Sequence, residues 1–281
     1  MDAATEARPA KMMSAIRDWS ALPLDILLSV FANLDAIDVL MGSGLVCHSW
    51  LEAAKVPDLW RSVDMANHKA LEKMEEHGLR AMAKVAVDRS KGQLEVFLGK
   101  RFVTDELLMY IGDRSASLKR LSLISCDYIS DRGFTYLITK SPQLEDLSLE
   151  LCIGVAGRAV YEATGKACPQ LKHFSLQGDI LWYSYDYQMH HEEAYGIKAM
   201  RELRSLSLIG SNIKNRELKA ILDCCPHLES LFLHDCDNID VVCDRDLRLK
   251  CARIKTVTLL QYKLDSDYKG TDTRWIVQQY E

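Results

Sequence analysis

The sequence predicts an α/β protein in which a small all-helical module is followed by a solenoid of short parallel strands and helices. Two observations favour this class. Residues 18–64 carry apolar side chains at helical spacing, and a leucine frame then recurs about seven times in residues 91–281. The composition, 48% hydrophobic and 27% charged, is typical of a globular chain with a sizeable core.

The helical module occupies residues 18–64. Ser20 can cap a short helix, Pro23 suits a first turn, and apolar residues from Leu24 to Phe31 follow at helical spacing. Two further helical segments are predicted around residues 38–41 and 45–54. A module this small cannot bury all of its apolar side chains. Some of them therefore face a partner, or they pack only against the rest of this chain.

The order of short motifs in this module is specific. LP, DILLSVF, NLD, DVL, LVCHSW and LW follow one another between residues 22 and 60, and this order resembles the F-box motif. F-box modules bind the Skp-family adaptor of cullin–RING ubiquitin ligases through a hydrophobic helical surface. The resemblance implies adaptor contacts at Leu22, Pro23, Ile26, Leu27, Val30, Leu34, Val46, Cys47 and Trp50. His48 departs from the motif, since many members have Arg or Lys there.

The remaining chain is built from one repeated frame. LKRLSLISC begins at residue 118, and similar segments begin at 144, 171, 203 and 228, with weaker copies at 91 and 254. Successive starts are 27, 26, 27, 32, 25 and 26 residues apart. Each unit predicts a strand and then a helix. The frame resembles the cysteine-containing leucine-rich repeat, which implies a right-handed solenoid with strands on its concave face and helices on its convex face.

Period-two alternation assigns side chains to the concave face. One row should be Ser122, Ser148, Ser175, Ser207, Phe232 and Thr258. The second frame position carries alternating charges that we expect to pair between neighbouring strands: Lys119, Glu145, Lys172, Arg204, Glu229 and Lys255. Target-binding candidates on this face are Ser148, Ser175, Ile209, Phe232 and His234. The alternative is a solvated face that binds no ligand.

Three segments interrupt or flank the frame. The 32-residue spacing reflects an aromatic insertion at residues 180–189, in which Trp182 and Tyr185 are candidate target contacts, because insertions in repeats form loops on one face. These rings could instead only fold back over the neighbouring repeats. Residues 65–90 predict a helix that links the module to the array. Residues 1–17 predict a disordered tail, and residues 263–281 a terminal cap.

Several functional classes lack support in the sequence. The net charge of −5, without a basic run longer than two residues, argues against nucleic-acid binding. No apolar window suits a membrane span. His191 and Glu192 begin an HExxH motif that fails at Tyr195. A calcium-loop pattern from Asp265 fails at Ile276. We therefore expect no catalytic site, metal or cofactor.

The overall resemblance is to short plant F-box/leucine-rich-repeat proteins. It implies a non-catalytic subunit of an SCF-type ubiquitin ligase, with the Skp-family adaptor and an unidentified protein substrate as partners. Nine scattered cysteines without metal-binding spacing fit a reducing compartment, so we expect a cytoplasmic or nuclear location. The alternative is a repeat scaffold or regulator that works outside a ligase.

Overall fold

The computed structural model describes residues 18–178, 190–263 and 274–280. The predicted tail at residues 1–17 and the insertion at residues 180–189 lie outside these described residues. The N-terminal module contains three helices, α1 (Leu24–Phe31), α2 (Ala36–Met41) and α3 (His48–Ala53). Helix α1 begins directly after Pro23. Because Leu27 and Phe31 are four residues apart, they share one face of α1, and both are buried.

The rest of the described chain alternates strands with helices. The strands are β1 (Ser62–Met65), β2 (Val96–Lys100), β3 (Arg120–Ile124), β4 (Asp146–Glu150), β5 (His173–Gln177), β6 (Ser205–Ile209), β7 (Ser230–His234), β8 (Thr256–Lys263) and β9 (Arg274–Tyr280). The helices between them are α4 (Glu76–Arg89), α5 (Asp105–Gly112), α6 (Asp131–Thr139), α7 (Arg158–Ala167), α8 (His190–Ile197), α9 (Asn215–Cys224) and α10 (Arg245–Cys251).

The nine strands form one sheet in sequence order. Strands β1 to β8 are parallel, and β9 pairs antiparallel with β8. Equal frame positions align across the sheet, so that Ser122, Ser148, Ser175 and Ser207 are successive partners. The flanking frame leucines, such as those at 121 and 123, are buried. The predicted fold class is confirmed: a helical module precedes a solenoid of parallel strands.

The first strand of the array was not predicted. We expected residues 65–90 to form a helix that links the module to the array, but β1 already pairs with β2, and α4 connects these two strands. Helix α4 is therefore the helix of a first repeat. The leucine frame does not reveal this repeat, because Val63 and Met65 occupy the buried strand positions.

The module and the array share one hydrophobic core, which runs from Leu27 to Leu259. At their boundary, the Trp60 side chain is 1% exposed, and its Nε1 donates to the Ala54 carbonyl at 2.9 Å. The Arg89 guanidinium lies 5.2 Å from the Trp60 ring centroid and donates to the same carbonyl at 3.3 Å. This contact fixes the module against the first repeat.

The strands end in a repeated turn. Ser125 and Leu151 follow β3 and β4 with positive φ angles of 50° and 53°. Each N–H donates to the last residue of the next strand, from Ser125 to Glu150 at 2.7 Å and from Leu151 to Gln177 at 2.9 Å. Cys152 follows in the buried frame position, with Sγ 3.4 Å from the Leu123 carbonyl oxygen. The thiol therefore bridges repeats as part of the core.

The end of the array is covered by the last strand. Residues 274–280 of the predicted cap form β9, which pairs with β8 from Val257 to Lys263. The open edge of the last parallel strand is thereby hydrogen-bonded to the chain itself, which blunts a surface that would otherwise pair with other chains. Residues 264–273 of the predicted cap lie outside the described residues.

Candidate functional site

The helical module has an exposed apolar face. Of the thirteen large apolar side chains that are exposed in the described part of the chain, eight lie between residues 19 and 46. They are Trp19, Leu24, Ile26, Val30, Leu34, Met41, Leu45 and Val46. Exposed apolar side chains concentrated in one small module indicate a site of interaction. We call these eight side chains together the apolar face, although Leu24 and Ile26 are two residues apart on α1 and point to different sides of that helix.

Helix α1 carries the centre of the apolar face. Ile26 and Val30 are four residues apart on the outer side of the helix, and they are 46% and 39% exposed. Trp50 supports the face from beneath, with its ring packed edge-on against Phe31 at 5.5 Å between centroids. The Trp50 Nε1 donates to the Trp19 carbonyl at 2.9 Å. The face therefore has a fixed support in the module core.

The structure separates the predicted adaptor contacts by exposure. Pro23, Ile26, Val30, Leu34 and Val46 are exposed, whereas Leu22, Cys47 and Trp50 are partly buried. Leu27, which was also predicted as a contact, is 1% exposed and packs in the core. Trp19, Leu24, Met41 and Leu45 are also exposed, and sequence reasoning did not single them out. Each of them is an apolar residue at a position that does not contribute to the core, and this combination could have identified them.

Cys47 places a polar atom beside the apolar face. The Ser49 hydroxyl, 3.1 Å from Cys47 Sγ, lowers the pKa of this thiol by hydrogen bonding, and the Trp50 backbone N–H acts in the same direction. When the thiol is protonated it donates to the Ser49 hydroxyl, which then donates to the Ser20 carbonyl at 2.9 Å. These bonds also tie the N-terminal turn to α3, so the polar group contributes to the shape of the face.

The concave face of the array collects the predicted target-binding residues. Ser148 and Ser175 are register partners on β4 and β5, and Ile209 is the partner of His234 on β6 and β7. The Phe232 ring lies 6.2 Å from the His234 ring. All five side chains are partly buried on one face of the sheet. The other two candidates, Trp182 and Tyr185, lie outside the described residues.

A row of charged side chains precedes the strands. We call it the strand-edge row, and its members are Arg61, Glu95, Lys119, Glu145, Lys172, Arg204, Glu229 and Lys255. The predicted pairing is confirmed at Lys172–Glu145 (2.7 Å), Arg204–Glu229 (2.8 Å) and Lys255–Glu229 (2.6 Å). Hydrogen bonds from Lys172 and from Lys255 lower the pKa of Glu145 and of Glu229, respectively.

One His/Asp cluster within the described residues has the spacing of a metal site. The possible ligand atoms of Asp35, Asp38 and His68 lie within 4.8 Å of one another. The Ala70 N–H donates to His68 Nδ1 at 3.1 Å, so Nε2 carries the proton and donates to Asp38 at 3.1 Å. Both ring nitrogens are thus engaged in hydrogen bonds, and the bond to Asp38 joins α2 to the first repeat.

The residues of the rejected zinc motif lie in helix α8, and the side chains of His190, His191 and Glu192 lie outside the described part of the structure. Among the described helices, none is both long and apolar enough to cross a membrane.

Comparison with family models agrees with this division of the chain. The model named F-box-like matches residues 19–66. A second model, described as FBD-associated F-box protein At5g56370, LRR repeats, matches residues 182–266. The first match covers the three helices and β1, and the second covers the C-terminal part of the array. The fold and these matches define a chain that joins an F-box to a leucine-rich-repeat solenoid.

Relatives from Arabidopsis thaliana extend over most of the sequence. F-box protein SKIP19 is 34% identical over 267 residues, which cover 94% of this chain and 83% of the relative. Putative F-box/LRR-repeat protein 23 is 36% identical over 85% of this chain, but this chain spans only 53% of that relative. The chain belongs to the F-box/leucine-rich-repeat family. Proteins of this family are typically non-catalytic adaptor subunits.

A solved structure is also similar in outline. The leucine-rich-repeat protein LegL7 from Legionella pneumophila matches with a TM-score of 0.42 and 12% identity, covering 84% of this chain and 87% of its own.

Proposed function

We propose that this chain is the substrate-recognition subunit of an SCF-type ubiquitin ligase. The F-box docks on the Skp-family adaptor, and the array binds a target protein for ubiquitination and proteasomal degradation. Such a receptor forms no covalent bond itself. It raises the effective concentration of the target beside the ubiquitin-charged enzyme. Its place of work is the cytoplasm or the nucleus.

The observation that carries this proposal is the apolar face. Helix α1 contributes Leu27 and Phe31 to the core. Ile26 and Val30 lie on its other side, where polar residues would serve the fold equally well. Apolar side chains exposed together favour association, because a partner removes them from water. Family membership supplies the chemistry of that partner, since an F-box in general joins a cullin–RING ligase through a Skp-family adaptor.

The array supports the part of the proposal that concerns binding of a target protein. The concave surface of a solenoid is a common binding surface, and here it presents a serine row flanked by Ile209 and by the Phe232–His234 ring pair. Small hydroxyl side chains leave space for a ligand, while partly exposed aromatic rings are favoured anchors at interfaces. We propose Ser148, Ser175, Ile209, Phe232 and His234 as target contacts.

The adaptor half is tested with the double variant Ile26→Asp/Val30→Asp. Two carboxylates on the apolar face would lose their hydration in the complex, so we expect at least about a hundredfold weaker binding of purified adaptor. Leu249→Asp is the matched control, because Leu249 is 64% exposed and lies on α10. Circular dichroism should show the same fold in all three proteins.

Two results would contradict the adaptor half. Equal binding by the double variant and by Leu249→Asp would remove the apolar face from the interface. If the wild-type chain bound no adaptor, the alternative of a repeat scaffold outside a ligase would replace this proposal.

A further inference from the structure

The strand-edge row alternates in charge except at one place. Neighbouring members are joined through the backbone, as in the N–H of Lys172 to the carbonyl of Glu145 (2.9 Å) and the N–H of Arg204 to the carbonyl of Lys172 (2.8 Å). From Arg61 to Lys255, each neighbouring pair joins a cation and a carboxylate, apart from Lys172 and Arg204. Two cations therefore stand side by side where β5 meets β6.

The two cations use carboxylates on opposite sides. Lys172 Nζ lies 2.7 Å from Glu145 on the β4 side, and Arg204 Nη1 lies 2.8 Å from Glu229 on the β7 side. Their side chains remain 40% and 56% exposed. Like charges on neighbouring strands destabilise a sheet. The arrangement therefore opposes the stability of the sheet at this position.

The helices that lead into these two strands, α7 into β5 and α8 into β6, are packed closely against each other. A Cβ on Gly196 of α8 would lie 2.6 Å from the Tyr161 Cβ on α7, and a Cβ on Gly165 would lie 2.5 Å from the Ala199 backbone carbon. The absence of these side chains allows α7 and α8 to pack closely. Strands β5 and β6 are therefore held side by side by their ladder and by these helices, without a salt bridge between Lys172 and Arg204.

We propose that the exposed strand edge at Lys172 and Arg204 binds an anionic side chain of the target protein, a carboxylate or a phosphate ester. The proposal rests on the function proposed above, and it names the chemistry of the target. An anion placed there completes the alternation of the row. An ammonium has three donors and a guanidinium five, so each cation can hold a second acceptor beside its glutamate.

The residues next to Lys172 and Arg204 favour an anion that arrives from the concave side. His173 and Ser205 are register partners directly after the two cations, and His173 is exposed. The hydroxyls of Ser175 and Ser207 continue along the same pair of strands. Each of these groups can donate a hydrogen bond, and the Arg204 fork suits a carboxylate or a phosphate in bidentate geometry.

Arg204→Gln tests the site, with Lys119→Gln as the matched control. Lys119 belongs to the same row, but it lies between Glu95 and Glu145, and its Nζ is 3.3 Å from Glu95. The probes are short fluorescent glycine–serine peptides with one phosphoserine, with one glutamate or without charge. We expect Arg204→Gln to bind the two charged peptides about tenfold more weakly than wild type, and Lys119→Gln to bind within about twofold.

Anisotropy titrations at low and at physiological salt complete the test, because screening should weaken binding to an exposed site. Tighter binding of the phosphoserine peptide identifies a phosphorylated target, and equal binding identifies a carboxylate as sufficient. The proposal is overturned if wild type and Arg204→Gln bind the charged peptides with equal affinity. It is also overturned if the uncharged peptide binds as well as the charged ones. Adaptor binding by the same proteins is measured separately, so failure of the F-box half is distinguished from failure of the anion site.

Discussion

Helices α1 and α9 show how the two regions differ. Helix α1 buries Leu27 and Phe31 and leaves Ile26 and Val30 exposed. Helix α9 buries one apolar side, whereas its Lys219 pairs with Asp244 of the next repeat at 3.1 Å. An array helix has neighbours of its own chain on both sides. The F-box helix has apolar residues on a second side, which is suited to a neighbour from another chain.

The cysteines show the same difference. Cys47 lies beside the apolar face, where hydrogen bonding by the Ser49 hydroxyl lowers the pKa of its thiol. In the array, burial raises the pKa of Cys168 and of Cys225 to about 12. A polar group is therefore kept available on the F-box surface, whereas Cys168 and Cys225 serve as apolar core in the array.

The largest effect is expected where the two regions meet. Trp60→Ala removes the side chain that joins the F-box core to the first repeat, and it should lower the free energy of unfolding by about 3–5 kcal/mol. Urea denaturation measures the loss. Trp19→Ala is the control, because Trp19 is 56% exposed and should change stability by about 0.5 kcal/mol or less. Similar losses in both variants would contradict a shared core at Trp60.

A smaller effect is expected within the array at the close contact of α7 and α8. Gly196→Ala should destabilise the fold by about 1–3 kcal/mol, because the new methyl group would overlap the Tyr161 Cβ. A Cβ at Gly78 of α4 meets no atom within 4 Å. Gly78→Ala should therefore stabilise the protein slightly, by up to about 1 kcal/mol. Thermal denaturation measures the melting temperature of both variants. A shift in the same direction for both would contradict this account.

The smallest effect concerns the strand-edge row. Glu145→Gln should cost at most about 1 kcal/mol at neutral pH and low salt, since the Lys172–Glu145 pair is exposed to solvent. The hydrogen bond from Lys172 lowers the pKa of Glu145 in the folded state. Its contribution is therefore present above the carboxyl range of the unfolded chain, and it is lost as pH falls through the folded pKa.

Urea midpoints at neutral and acidic pH, with and without high salt, measure this contribution. Glu72→Gln is the control at an exposed position of the first repeat. If Glu145→Gln lost as much stability at acidic pH or in high salt as at neutral pH and low salt, the ion pair would not be the cause.

The repeat register was predictable because buried leucines alternate with exposed positions, and this period of two assigns each residue to a face. Strand β1 could not be found in this way, since Val63 and Met65 replace the frame leucines. The sides of α1 were also ambiguous, because Leu27 and Ile26 are both apolar and only packing distinguishes them. Lys172 and Arg204 are neighbours because β5 and β6 pair with each other across the insertion. The sequence alone does not show this pairing.

The core that passes through Trp60 also has a consequence for quality control. Because the F-box and the first repeat share buried side chains, a chain whose repeats fail to fold also loses the support of its apolar face. A misfolded receptor would then be unable to occupy an adaptor that an intact receptor needs. Under the proposed function, binding of the adaptor would thus depend on a folded first repeat.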